Sequence, residues 1–179
     1  MEDEKLMKLS GLGIIAELKK AQIQTVAALP DIVTSDGLLW PISRDSDFRL
    51  IRVCKEDEGI SICAALSYTD TRAVMLMQQT GLLDSLNSIR AIAIEYQQPI
   101  CVMIGLQGKS SAEKIADAVT YGVRIVKPIL DVMGLKTVII ENERDICKIA
   151  PSISHAYEFE RPVCFLLGES PSFDGDEYD

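Results

Sequence analysis

Ala73-Val-Met-Leu-Met77, the turn Gln78-Gln-Thr-Gly81, a helical stretch over residues 82–96, then Pro99-Ile-Cys-Val-Met-Ile104 and Gly105-Leu-Gln-Gly108 read as strand, turn, helix, strand, turn. Both strand segments are continuously apolar, which places them in a sheet covered on both faces. The same alternation runs outward in both directions. Downstream, the spacing predicts a helix over 111–121, a strand over 136–140, a helix over 144–157 and a last strand over 162–167. Upstream, it predicts a helix over 5–20 broken near Gly11 and Gly13, a strand over 25–29, an irregular stretch over 38–46, a strand over 48–53 and a helix over 57–68. The expected fold is α/β: a doubly wound, mainly parallel sheet of about six strands with helices on both faces. Residues 1–168 read as a single domain, and the acidic, Gly- and Pro-containing stretch 169–179 as a disordered tail.

Composition narrows the function classes. The 179 residues carry 18 basic and 27 acidic side chains, a net charge of -9. That balance argues against nucleic acid and anionic membrane surfaces as partners, leaving a small molecule or another protein. No apolar run reaches the ~20 residues of a membrane span, and the acidic opening Met1-Glu-Asp-Glu-Lys5 is no signal peptide. Cys54, Cys63, Cys101, Cys147 and Cys164 form no CxxC pair, and four of them sit in apolar runs. They read as buried, reduced thiols of a cytoplasmic protein. The only histidine, His155, reads as a structural residue on a late helix. A lone histidine argues against a multi-histidine metal site and a Ser-His-Asp triad, and no metal ligands are assigned to this chain.

Ligands of such sheets lie beyond the carboxyl ends of the strands, so four loops matter: 30–37, 55–59, 78–81 and 105–109. None is a phosphate cradle. Gly105-Leu-Gln-Gly-Lys-Ser110 reads GxxGKS, shorter than GxxxxGK[ST], and Gly11-Leu-Gly13 lacks a preceding strand and a third glycine. The second loop, Lys55-Glu-Asp-Glu-Gly59, places three carboxylates after a strand and at a helix start. Acids there complement the helix dipole, and a carboxylate bordering the apolar helix is also placed to share a proton.

Two segments carry a family resemblance. Glu58-Gly-Ile-Ser-Ile-Cys-Ala-Ala-Leu-Ser-Tyr68 and Ala73-Val-Met-Leu-Met-Gln-Gln-Thr-Gly-Leu-Leu-Asp-Ser-Leu-Asn87 resemble the pyrimidine-binding domain of thiamine-diphosphate-dependent 2-oxoacid decarboxylases. The likeness is strongest to sulfopyruvate decarboxylase alpha subunits and phosphonopyruvate decarboxylases. Pro30-Asp31 and Gly108 fit the same pattern, and the resemblance spans residues 5–167. It implies that a glutamate hydrogen-bonds N1′ of the cofactor's aminopyrimidine. Register with Tyr68 assigns that role to Glu58, with Glu56 as the alternative two residues earlier. Gln78, Gln79, Thr80 and Gly81 would line the cofactor, and Asp31, Gln107 and Gly108 the substrate. Asp31 would serve in proton relay, or else as a helix N-cap.

The same resemblance implies a missing half. The diphosphate and Mg2+ are held in the family by a second domain marked by Gly-Asp-Gly and a later Asn, and neither Asp36-Gly37 nor Asp174-Gly175-Asp176 has that pattern. An alpha subunit that is inactive without a beta partner is therefore implied, with self-association. The implied reaction releases an aldehyde and carbon dioxide from a small 2-oxoacid. Gln79, Thr80, Leu83 and Asp84 depart from the family's usual residues, and Gln107 stands where a sulfonate-binding arginine is common. These departures leave open a non-catalytic regulatory subunit, or a carboligase using the same cofactor.

Overall fold

Strict alternation along β3 (Ala73–Gln78) divides the protein into two cores. Val74 and Leu76 point into one apolar cluster, and Ala73, Met75 and Met77 into the other. β4 (Cys101–Gly105) and β6 (Val163–Leu167) repeat the division, with Met103 and Phe165 on the first side and Ile104 and Leu166 on the second. The computed structural model describes residues 9–110 and 113–173. Within them six strands form one sheet in the order β2-β1-β3-β4-β6-β5, every neighbouring pair parallel, so the expected α/β doubly wound fold is present. β1 is Thr25–Ala28, β2 Arg49–Arg52 and β5 Lys136–Ile140. The edge strands β2 and β5 carry exposed Arg49, Arg52 and Lys136, charges that discourage pairing with another chain.

The first face is covered by α1 (Gly11–Lys20), by a wide helical turn Ser35–Leu39 running into α2 (Trp40–Arg44), and by α7 (Ile149–Glu158). The second is covered by α3 (Glu56–Ser67), by α4 (Gln79–Asp84), α5 (Leu86–Ser88) and the wide turns Ile89–Glu95, and by α6 (Tyr121–Val132). No helix among the described residues is long and apolar enough to cross a membrane.

Three stretches differ from the sequence expectation. Much of the irregular stretch 38–46 is helical, because Pro41 occupies the first turn of α2, where its missing N–H costs nothing. The expected helix at 111–121 is a single tight turn, Ile115–Asp117, with residues 111–112 outside the described set. The main helix of that region comes later, as α6, and buries Val123, Val126 and Leu130 while its internal Pro128 faces solvent. The acidic stretch is also held where it is described. The Ser172 N–H donates to the Leu9 carbonyl and the Gly11 N–H to the Ser172 carbonyl, both at 2.8 Å. Residues 174–179, like 1–8 at the start of the first expected helix, lie outside the described residues.

Two measurements test this core. Ser85 closes α4, is fully buried, and its hydroxyl has no hydrogen-bond partner. Ser85→Ala removes that uncompensated group, so thermal melting should rise, by up to about 1 kcal/mol of stability. The cysteines supply the second. Cys63, Cys101 and Cys164 are buried, whereas Cys147 and, against expectation, Cys54 are exposed. Cys54 lies past the end of the edge strand β2, in the exposed turn before α3. Burial pushes the Cys63 and Cys164 thiols up to about 12 and Cys101 further in the same direction. Since the thiolate is the nucleophile, the native protein near neutral pH should take up an alkylating reagent at Cys54 and Cys147, and at all five positions after denaturation, as read by intact mass.

Candidate active site at the carboxyl edge of the sheet

The sheet changes direction at β1. The chain leaves β1 for β2 on one side and returns to β3 on the other, and such a switch point opens a crevice beyond the strand ends. The loops after β1, β2, β3 and β4 all lie at this edge. They also touch one another. A Cβ on Gly105, the last residue of β4, would lie 2.6 Å from the Val33 side chain, so the loop after β1 rests on β4. A Cβ on Gly81, in the first turn of α4, would lie 2.2 Å from Glu56 Oε1, so the start of α3 rests on the start of α4. Gly81 is what leaves room there for a carboxylate.

The carboxylates divide by environment. Glu58 is exposed, and its Oε2 accepts the N–H groups of Cys54 at 3.0 Å and Lys55 at 3.3 Å. It caps the helix, which is what a glutamate at the third helical position does. Glu56, two residues earlier, is half-buried against Gly81 and has no hydrogen bond or ion pair among the described residues. Helical geometry accounts for the difference. Glu56 shares a face with the buried Gly59 and Cys63, three and seven positions on, and that face packs on β3. A Cβ on Gly59 would lie 2.2 Å from Met75 Sδ, which sets the close approach. Glu58 projects from another side of the same turn.

Asp31 is engaged locally. Its Oδ1 accepts the N–H groups of Val33 at 2.7 Å and Thr34 at 2.9 Å, Oδ2 accepts the Thr34 hydroxyl at 2.5 Å, and its own N–H donates to Ser35 Oγ. These contacts brace the turn 32–34 that leads into Ser35–Leu39, whose own N-cap is Thr34. Gln79, 3% exposed, spans to the loop after β4. Its Oε1 accepts the Gln107 N–H at 2.8 Å and its Nε2 donates to the Gln107 carbonyl at 3.1 Å. Thr80 donates its hydroxyl to Gln78 Oε1 at 2.9 Å. Gln78, Gln79, Thr80, Gly81, Gln107 and Gly108 are thus neighbours on one rim, with Glu56 below them. Two residues that sequence reasoning passed over also bear on the rim. Thr120 donates to the Gly108 carbonyl at 3.0 Å, and Lys109 reaches Glu141 at 3.2 Å. Lys109 lies in the stretch Gly105-Leu-Gln-Gly-Lys-Ser110, whose spacing speaks only to a phosphate cradle, and Thr120 sits in no motif, so no signal marked their partners.

Comparison with known proteins gives the setting of this edge. No protein-family model matches the chain. The sulfopyruvate decarboxylase alpha subunit of Methanocaldococcus jannaschii is 26% identical over 157 residues, covering 87% of this chain and 91% of the relative. The chain is similar to sulfopyruvate decarboxylase alpha subunits. The corresponding subunit of Methanococcus maripaludis is 28% identical over 159 residues, covering 88% of this chain and 87% of the relative. A sulfopyruvate decarboxylase of Methanosarcina acetivorans is 27% identical over 155 residues, and there the chain spans 38% of the relative's length. Among solved structures, a 2-oxoglutarate:ferredoxin oxidoreductase from Magnetococcus marinus superposes with a TM-score of 0.69 over 94% of this chain at 14% identity. The chain spans 30% of that protein, and the likeness shows the shared fold.

Proposed function

We propose that this chain is the alpha subunit of a thiamine-diphosphate-dependent decarboxylase of a small 2-oxoacid, sulfopyruvate- or phosphonopyruvate-like, and that a separate beta subunit completes its active site in the cytoplasm. The observation that carries the reading is Glu56: an unpartnered, half-buried carboxylate at the switch point, in a chain similar along most of its length to decarboxylase alpha subunits. The names of the relatives support a decarboxylase subunit with a partner. The longer Methanosarcina relative, of which this chain spans 38%, fits a protein in which both halves are joined.

The residues present fit the pyrimidine end of the cofactor. A ring nitrogen needs a carboxyl group able to share a proton. Both oxygens of Glu56 are without a hydrogen bond among the described residues, whereas Glu58 is exposed and held by two backbone N–H groups on Oε2. Sequence register favoured Glu58, and we assign the role to Glu56 on these contacts. Thiamine diphosphate, when bound, supplies the electron sink for loss of carbon dioxide. Glu56 holds a proton at the ring nitrogen. Gly81 and Gln78 border the same space, and Thr80 orients Gln78 through its hydroxyl. Gln107 and Gly108 face the substrate side, and Asp31 shapes the loop after β1 rather than relaying a proton. The diphosphate and Mg2+ fall to the beta subunit. Gln79, one of the departures from the family's usual residues, is fully employed in holding Gln107, so that departure does not argue for a chain that has lost its chemistry.

Co-expression with a partner bearing Gly-Asp-Gly and a later Asn tests the proposal. The complex should bind thiamine diphosphate with Mg2+ and release carbon dioxide from at least one member of a 2-oxoacid panel, and either chain alone should not. A complex that binds neither cofactor nor 2-oxoacid would sink it.

A further inference from the structure

We infer that the segment from Gly105 to Lys109 is a rigid rim rather than a closing flap, and that Gln79, Thr120 and the Lys109–Glu141 pair are positioning residues that hold Gln107 and Gly108 in place. The inference rests on the reading proposed above for what the rim serves. Its structural part stands on the bookkeeping of the backbone. A surface loop ordinarily leaves its N–H and C=O groups to water. Here the Leu106 N–H donates to the Leu167 carbonyl, the Gln107 N–H and carbonyl both meet the Gln79 amide, the Gly108 carbonyl accepts from Thr120, and the Lys109 N–H returns to the Leu106 carbonyl. The tethers come from four different elements: β6, the start of α4, the start of α6, and the exit of β5.

Gly108 is required by this arrangement. Its φ is +82°, and a Cβ would lie 2.6 Å from Thr120 Oγ1. The Gln79 stem reaches the loop past Gly122 in the first turn of α6, where a Cβ would lie 4.0 Å from Gln79 Cγ. At the far end the Lys109 side chain is only 1% exposed. Its Nζ meets Glu141 Oε1 at 3.2 Å and the Ser110 carbonyl at 3.2 Å, and its stem passes the space left by Gly168. This pair and the Ser110 contact tie the loop to the exit of β5, because moving the loop breaks a charge-assisted hydrogen bond and unpacks the buried Lys109 stem. The Gln107 side-chain amide, by contrast, has no partner among the described residues. It is the polar group the rim presents, and it is neutral.

Amide exchange and steady-state kinetics on the full chain in complex with its partner test the inference together. Gln79→Glu keeps an acceptor for the Gln107 N–H but sets a carboxylate against the Gln107 carbonyl. Thr120→Val removes one tether with little change of side-chain volume and serves should the first variant fold poorly. Each should speed exchange at Gln107 and Lys109 about tenfold, while Val102 and Ile104 in β4 stay protected. Glu141→Gln should do the same, and Lys109→Arg should preserve protection because it keeps the charge pair. For turnover, KM should rise by about tenfold with kcat little changed, the mark of lost substrate positioning. Unchanged exchange overturns the rigid rim. Faster exchange with unchanged KM overturns its role at the site. A wild-type complex that turns over no 2-oxoacid defeats the decarboxylase reading instead, and the exchange arm then decides the rim by itself.

Discussion

Glu56→Gln, made in the proposed complex with a beta subunit, is expected to lower carbon dioxide release by about 10²–10⁴-fold, the usual worth of a positioned proton-sharing group. The substitution keeps the side chain's shape against Gly81 and removes only its ability to hold and yield a proton, so cofactor binding should weaken far less than turnover. Glu58→Gln should leave turnover unchanged, because an amide oxygen still accepts the N–H groups of Cys54 and Lys55. Glu58→Ala should cost about 1 kcal/mol of stability through the lost cap, again with the rate nearly intact. The pair therefore separates a chemical carboxylate from a structural one two residues away. If Glu58→Gln is the variant that loses activity, the role reverts to the position favoured by register with Tyr68.

The largest effect on stability is expected far from the chemistry, where backbone meets backbone. A Cβ on Gly37 would lie 2.1 Å from the Pro171 carbonyl oxygen, and one on Gly11 would lie 2.0 Å from the Gly37 carbonyl oxygen. No flexible side chain is present to yield, so Gly37→Ala must displace the segment around 171–172 or the turn Ser35–Leu39 itself. Overpacking of this kind costs about 1–3 kcal/mol, which in a domain of this size lowers the melting temperature by about 2–12 °C. Gly11→Ala should act through the same displacement, and the double variant should cost less than the two separately. The turn also continues the loop whose Val33 rests on Gly105, so the damage should extend to the candidate site. Additive losses in the double variant would mean that the two contacts yield independently.

The central strands were readable because β1, β3, β4 and β6 are buried on both faces, and an unbroken apolar run such as Ala73-Val-Met-Leu-Met77 has few other uses in a chain of this composition. The helices were read less well where two signals compete. Pro41 reads as a breaker until it is known to sit in a first turn, and Pro128 hid the apolar period of Val123, Val126 and Leu130. At the candidate site, the four loops were picked out because strands that all run parallel end at one edge. The choice between Glu56 and Glu58 was not available, since it depends on which side of one helical turn meets Gly81. The roles of Gln79, Thr120 and Lys109 were hidden for a related reason. Each bonds to a backbone group or a side chain far along the chain, and such pairings leave no local pattern.

The order of the strands also governs how the chain can assemble as it emerges from the ribosome. β5 has a single neighbour, β6, and β6 lies between β5 and β4. Until residues 163–167 have been made, β5 has nothing to pair with and β4 presents an open edge on its apolar strand. At the other side β1, the second of the described elements, must wait for Ala73 and its neighbours before β3 exists to pair with it. Parallel pairings at this separation close late and expose unpaired strand edges meanwhile. The sheet therefore stays incomplete until residues 163–167 have been made and have inserted between β4 and β5, and only then are the loops at the carboxyl edge held on a finished scaffold.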